Sequence, residues 1–178
     1  MAEGLLRHRL SDLGIGARVR SAGLLFDDRP ASDEAIAVLG DRGIDIGGHR
    51  SRRIAADLIE ETDLVLGLAR EHVREVALVA PDALPRTFTL KELVRRGETI
   101  GGRLTGQQLP DWLARVALGR KRADILGSSD SDDVTDPIGR PRSFYETTLA
   151  DLSNLVDRLV ALLFVPDAGI GMPARESA

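Results

Sequence analysis

Asp63-Leu64-Val65-Leu66-Gly67-Leu68 is a short apolar run with no alternation of polar residues. Strands of a parallel sheet buried on both faces read this way, continuous rather than two-periodic. A helical pattern follows over residues 70 to 79, and a second extended segment at Arg86-Thr87-Phe88-Thr89-Leu90. Strand, helix and strand in that order define a parallel crossover unit. The rest of the chain extends the same alternation in both directions.

Downstream, Lys91 to Arg96 starts a helix, and residues 97 to 106 are glycine-rich and read as a loop. Residues 110 to 118 read as a helix with Trp112, Leu113 and Val116 turned inward. Residues 124 to 142 form a Ser/Asp-rich acidic stretch ending in Asp136-Pro137-Ile138-Gly139. Asp130, Asp132 and Asp133 within it are expected to be solvated and mobile. Leu149, Leu152, Val156, Leu159 and Leu163 recur three and four apart, an apolar stripe on a closing helix. Residues 165 to 178 carry proline and glycine and read as a flexible tail behind one domain spanning 1 to 164.

Upstream, residues 53 to 60 read as a helix. Ile44 and Ile46 lead into His49-Arg50-Ser51-Arg52, read as a solvated basic turn with Ser51 as a helix cap. Pro30-Ala31-Ser32-Asp33 is a helix entrance with Ser32 or Asp33 as cap. Residues 17 to 21 read as a strand entering the turn at Ser21-Ala22-Gly23. The opening Met1-Ala2-Glu3-Gly4-Leu5-Leu6-Arg7-His8-Arg9-Leu10 is helical, with Ala2, Leu5, Leu6, Leu10 and Leu13 on one side. The fold class is therefore α/β: a doubly wound parallel sheet between helical layers. Its sheet is thin, with three strands against the usual five or six, and residue 1 leaves no strand ahead of the first helix.

The chain has 178 residues, 43% of them hydrophobic and 29% charged, as in a soluble globular domain. No apolar run approaches the roughly 20 residues of a membrane helix, and no secretory leader is recognisable, so a cytoplasmic protein without membrane contact is expected. The net charge of −4 and 3% aromatic content argue against a nucleic-acid partner. There is no cysteine, which excludes disulfides, thiolate metal sites and cysteine nucleophiles within these residues. His8 and His72 stand apart in sequence and fit no metal spacing. They read as helix-surface histidines, and no metal or cofactor is expected. Glu3 lies in a first helical turn, where a carboxylate suits the macrodipole.

Taken in order, these pieces resemble the low-molecular-weight protein tyrosine phosphatases, which share their fold with the thioredoxin-coupled arsenate reductases. Met1-Ala2-Glu3 resembles the helix that follows the family's phosphate loop. Ser21-Ala22-Gly23, Pro30-Ala31, Gly43-Ile44-Asp45 and His49-Arg50-Ser51-Arg52 follow in the family's order. Asp63-Leu64-Val65-Leu66 with His72, and Asp136-Pro137 with Tyr145, continue it. Phe88-Thr89-Leu90-Lys91-Glu92-Leu93 resembles a bacterial subgroup. The resemblance implies a three-layer α/β/α domain whose four-stranded parallel sheet has the order 2-1-3-4. It also implies hydrolysis of phosphotyrosine proteins or small aryl phosphates through a phosphocysteine.

In that family the first, central strand delivers a C-x5-R-[ST] loop. Its backbone N–H groups cradle the phosphate, its thiolate attacks phosphorus, and an aspartic acid protonates the leaving oxygen. This chain has no counterpart of the strand, the cysteine or the arginine. The resemblance leaves Asp136 as the general acid, where the Asp-Pro pair by itself would suggest only a turn. Tyr145 either lines a phosphotyrosine pocket or packs its ring on the core. Ser21 either shapes the phosphate loop or satisfies nearby backbone.

A start codon placed too late and a naturally degenerate paralogue would both give this chain. Sheet physics favours the first, because losing a buried central strand removes ~5–10 kcal/mol of burial, comparable with the stability of a whole domain. As written, the chain is expected to fold poorly and to be catalytically inactive. The alternative is a non-catalytic pseudophosphatase that binds a protein partner. Arsenate reduction, which needs several cysteines, is the remotest option. Oligomeric state and natural substrate are not legible.

Overall fold

The computed structural model describes residues 1–121 and 130–164. The chain enters α1 (Ala2–Asp12), then α2 (Asp33–Gly40) and the short α3 (Ala56–Glu60). Strand β1 (Val65–Gly67) leads into α4 (Arg70–Val79) and a 3-10 segment (Pro81–Arg86). Strand β2 (Thr87–Thr89) runs directly into α5 (Leu90–Ile100), followed by α6 (Leu109–Ala117) and the long α7 (Arg142–Leu163). The expected tail, residues 165 to 178, lies outside the described residues.

The apolar run and the second extended segment pair as expected. β1 and β2 are parallel, with Val65 opposite Thr87, Leu66 opposite Phe88 and Gly67 opposite Thr89. Thr87, Phe88 and Thr89 are fully buried, as β-branched and aromatic residues in a central strand should be. Leu64, Val65, Leu66 and Leu68 are only half-buried, so the apolar run at β1 overstates its burial. Gly67 is required by a close approach, since a Cβ there would lie 3.0 Å from the Ala69 carbonyl and 3.1 Å from His72 Cβ. That clearance lets α4 start immediately beyond the strand.

Residues 17 to 21 do not form a strand. They carry no regular secondary structure, and the nearest sheet pairing is a single parallel bridge between Gly23 and Arg53. A strand is defined by its ladder, and the hydrogen bonds of segment 17 to 21 among the described residues run through side chains: Arg7 Nη2 donates to the Val19 carbonyl at 3.1 Å, Arg20 Nη1 donates to Glu61 at 3.2 Å, and the Ser21 hydroxyl donates to Glu3. Among the described residues the ladder is two-stranded.

Helix α7 organises the core. α1, α2 and α5 all pack against it, and its buried face, which includes Leu149, Leu152, Val156, Leu159 and Leu163, is wider than the predicted stripe. These residues join Leu39, Phe88, Leu93 and Trp112 in one cluster. Ser32 is the cap of α2, its Oγ accepting the Ala35 N–H at 3.4 Å.

Four readings of single segments need correction. Gly97 lies inside α5 rather than in a loop, because Leu162 and Trp112 press against it. Ser51 caps no helix; its Oγ accepts the Arg29 N–H at 3.0 Å and ties the loop of residues 24 to 29 down, while α3 begins only at Ala56. Asp132 and Asp133 are not free in water: the first is buried and the second half-buried. Asp132 is buried on Arg70, and Asp133 Oδ1 accepts the Arg70 N–H at 2.8 Å. An acidic stretch stays in water only if no cation waits within the fold, and here Arg70, Lys91 and Arg95 do. His72 is half-buried, and its Nδ1 accepts the Ala69 N–H at 3.0 Å, closing the first turn of α4.

Candidate active site

A groove of about 1160 Å³ opens where the first turn of α1 meets the exit of β1. Met1, Ala2 and Glu3 form its base. Ser21, Ile46, His49, Arg52, Leu68, Ala69, His72 and the run Val134 to Ile138 line it as well. Tyr145 and Leu152 of α7 reach it from behind. It thus lies at the carboxyl end of a parallel strand and the amino end of a helix, the usual position of ligand sites in open α/β sheets.

Glu3 is the electrostatic hub of the base, a larger role than its place in the first helical turn suggested. Its side chain is largely buried. It accepts hydrogen bonds from the Ser21 hydroxyl and the Arg7 guanidinium, and His49 Nδ1 stands 3.7 Å away. The Ser21 hydroxyl is therefore committed to Glu3, a partner from α1 that neither sequence reading of Ser21 contained. Burial pulls the Met1 α-ammonium below its ordinary pKa, with Glu3 opposing the shift. Arg50 also lines the groove, and its Nη1 donates to the His49 carbonyl at 2.7 Å.

Asp136 is exposed and lines the groove. Its Oδ1 accepts the Ile138 N–H at 3.0 Å, the side-chain turn that Asp-Pro sequences favour. Turn and groove position coexist in this residue. The Tyr145 ring is only 2% exposed, and its hydroxyl receives a 3.3 Å bond from Ser32 Oγ. The structure thus gathers Ser21, Asp136 and Tyr145 round one groove, with Tyr145 turned into the core. Among the described residues there is no His, Asp and Glu cluster suited to a metal, and no helix is long and apolar enough to cross a membrane.

Sequence reasoning missed Glu3, Arg70, Asp132 and Asp133 as partners of the site. The signal was weak but present: Ala69, which caps α4, has no side-chain acceptor for the orphan N–H groups of the first turn, so an acceptor had to come from elsewhere.

A parallel sheet flanked by helices, with a groove between a strand exit and a helix start, makes this a three-layer α/β/α domain. Residues 1–100 match the family model described as low molecular weight phosphotyrosine protein phosphatase, and the chain belongs to that family. It is 30% identical over 99 residues to the low molecular weight protein-tyrosine-phosphatase Etp of Escherichia coli K12, covering 55% of this chain and 64% of that protein. The chain thus spans just under two thirds of that curated relative. It is 27% identical over 149 residues to a protein-arginine-phosphatase of Geobacillus stearothermophilus, covering 83% of this chain and 78% of that one. The crystal structure of a low molecular weight protein tyrosine phosphatase from T. tengcongensis superposes with a TM-score of 0.68 at 30% identity, covering 91% of this chain and 88% of that one. Asp136 and Tyr145 lie beyond the residues the family model matches.

Proposed function

We propose that this chain forms the acid-bearing body of a cytoplasmic phosphatase of the low-molecular-weight family. Asp136 is its general acid, Ser21 and Tyr145 shape the substrate site, and neither metal nor cofactor takes part. The reading rests on one observation: Asp136 is exposed on the rim of the groove that opens at the first turn of α1. A phosphate held at that turn would meet the orphan N–H groups and the positive end of the helix dipole. Asp136, protonated, would then deliver its proton to the departing oxygen, a contribution of about 10²–10⁴ in rate.

The 178 residues contain no cysteine, so they supply no thiolate to attack phosphorus. They are expected not to turn over phosphate esters alone. Adding an apolar strand and a C-x5-R-S loop ahead of Met1 should restore turnover of an aryl phosphate. Hydrolysis by the 178-residue chain itself, or no turnover after the addition, would overturn this assignment of roles. The competing reading, a non-catalytic binding module, draws on the same lack of cysteine and predicts that the extended chain stays inert.

The leaving group has a second reading. Tyr145 is the one aromatic residue at the groove among the described residues, and its ring is buried. The solvent-accessible rings lining it are therefore imidazoles, those of His8 and His49 among them, with no exposed phenyl, phenol or indole to stack on a phenol. Phosphoarginine, the substrate class named for the Geobacillus relative, fits that lining as well as phosphotyrosine. Comparing p-nitrophenyl phosphate with a phosphoarginine peptide on the extended chain separates the two.

A further inference from the structure

We propose that Asp133, with the buried Asp132–Arg70 pair, is a positioning residue for Asp136. The inference rests on the general-acid reading of Asp136 given above. It follows from how the residues before Asp136 are fastened. The Asp132 side chain is 3% exposed and pairs with the buried guanidinium of Arg70, while Arg95 Nη2 approaches its other oxygen at 3.0 Å. Asp133 Oδ1 accepts the Arg70 N–H at 2.8 Å, and its carbonyl accepts Lys91 Nζ at 2.6 Å. Val134 N–H donates to the Leu68 carbonyl at 2.7 Å, and Thr148 Oγ1 donates to the Thr135 carbonyl at 3.3 Å. Pro137, on the far side, is buried. Asp136 is thus held from both directions by anchors on the exit of β1, the start of α4, α5 and α7.

These anchors are a poor choice for stability alone. A buried ion pair loses about as much in desolvation as it gains in attraction, and a well-packed apolar pair often does as well. Arg70 also keeps Nε and Nη1 buried without hydrogen-bond partners, a further cost. What the arrangement supplies is direction. It locks the run 132 to 135 to Leu68 and Arg70, which bracket Ala69, another residue lining the same groove. The distance from the acid to whatever the groove holds is thereby fixed, and a proton donor needs that distance set to within hydrogen-bond reach.

The test compares Asp133→Ala, which deletes the acceptor for the Arg70 N–H, with Asp133→Asn, whose side-chain oxygen keeps it. Asp133 is the target because Asp132→Asn would strand a buried arginine and threaten folding. In the 178-residue chain at low temperature, exchange of the Val134 amide should quicken in Asp133→Ala and return to its original rate in Asp133→Asn. In the chain carrying the added strand and C-x5-R-S loop, Asp133→Ala should slow phenyl phosphate by about tenfold or more, a part of the whole general-acid effect. 2,4-Dinitrophenyl phosphate, whose leaving group departs without a proton, should keep its rate. Asp133→Asn should recover phenyl phosphate turnover. Equal loss with both substrates, or Val134 exchange unmoved by Asp133→Ala, overturns the positioning role. An extended chain inert toward both esters before any substitution is a different failure: it removes the general-acid reading itself, and the inference with it.

Discussion

Gly97 stands seven residues into α5, where glycine is about 1 kcal/mol worse than alanine by helix propensity alone. Its neighbours reverse that preference. A Cβ at this position would lie 2.8 Å from Leu162 Cδ1 and 3.1 Å from Trp112 Cζ2, and both side chains are buried. Leucine can rotate away, but the indole is held by its Nε1 bond to the Gly101 carbonyl at 3.0 Å. Overpacking of this kind costs ~1–3 kcal/mol, which outweighs the propensity gain. Gly97→Ala should therefore destabilise the protein by about 1–2 kcal/mol, read as a lowered urea midpoint with an unchanged slope; a raised midpoint would contradict the packing argued here. Gly97 also marks where reading residues in sequence fails. A glycine within a glycine-rich stretch looks like a loop, and the reason for it sits in α6 and α7. Glu3, Asp132 and Asp133 were misjudged for the same cause: each is explained by a partner distant in sequence. The turn at Asp136 was legible because its neighbour is Pro137 and a turn is a local property, whereas its expected role as general acid came from the resemblance alone.

Two ion pairs on α5 separate effects that look alike on paper. Arg120 grips Glu92 through two bonds of 2.9 and 3.1 Å, both side chains are buried, and the guanidinium lies 4.2 Å over the Phe88 ring. Arg158 grips Glu98 with equally good geometry, bonds of 2.7 and 2.6 Å, but in solvent. That bond holds the Glu98 carboxyl below its ordinary pKa, with burial opposing. A depressed carboxylate contributes stability that is complete above its unfolded pKa and fades as pH falls through the folded value. Its contribution is thus present at neutral pH and lost in acid. Being exposed and screened, it is worth no more than about 0.5 kcal/mol. Glu98→Gln should shift the thermal midpoint by no more than about 2 °C at pH 7, and by less still at pH 3 or in 1 M salt; a large shift that survives acid would mean the pair is stronger than its exposure allows. At this same scale the sequence was most legible. Helical spacing located α1, α2, α4, α6 and α7, an apolar run located β1, and the extended segment at residues 86 to 90 located β2. The expected strand at 17 to 21 failed because a segment becomes a strand only when a neighbour pairs with it.

Across the whole molecule, β1 is the element out of balance. In a doubly wound sheet its side chains should be covered on both faces, yet Leu64, Val65, Leu66 and Leu68 are half-buried and β2 is its one ladder partner among the described residues. The groove adjoins Leu68 and reaches inward to Val134 and Leu152 of the main core. Apolar surface left beside a strand is stability forgone at ~25 cal/mol per Å². A parallel strand placed against β1 would recover it and would satisfy the open backbone edge. Recovering about 5 kcal/mol, at about 2–4 °C for each in a domain of this size, should raise the thermal midpoint of the extended chain by roughly 10–20 °C over that of the 178-residue chain. The transition should also sharpen, since a core closed on both faces of β1 unfolds as one unit. Calorimetry of the two proteins side by side measures this directly. A midpoint already high and a transition already cooperative in the 178-residue chain would show that helices α1, α2, α5 and α7 stabilise the fold without further strands, and that the groove is a feature the molecule tolerates at no thermal cost.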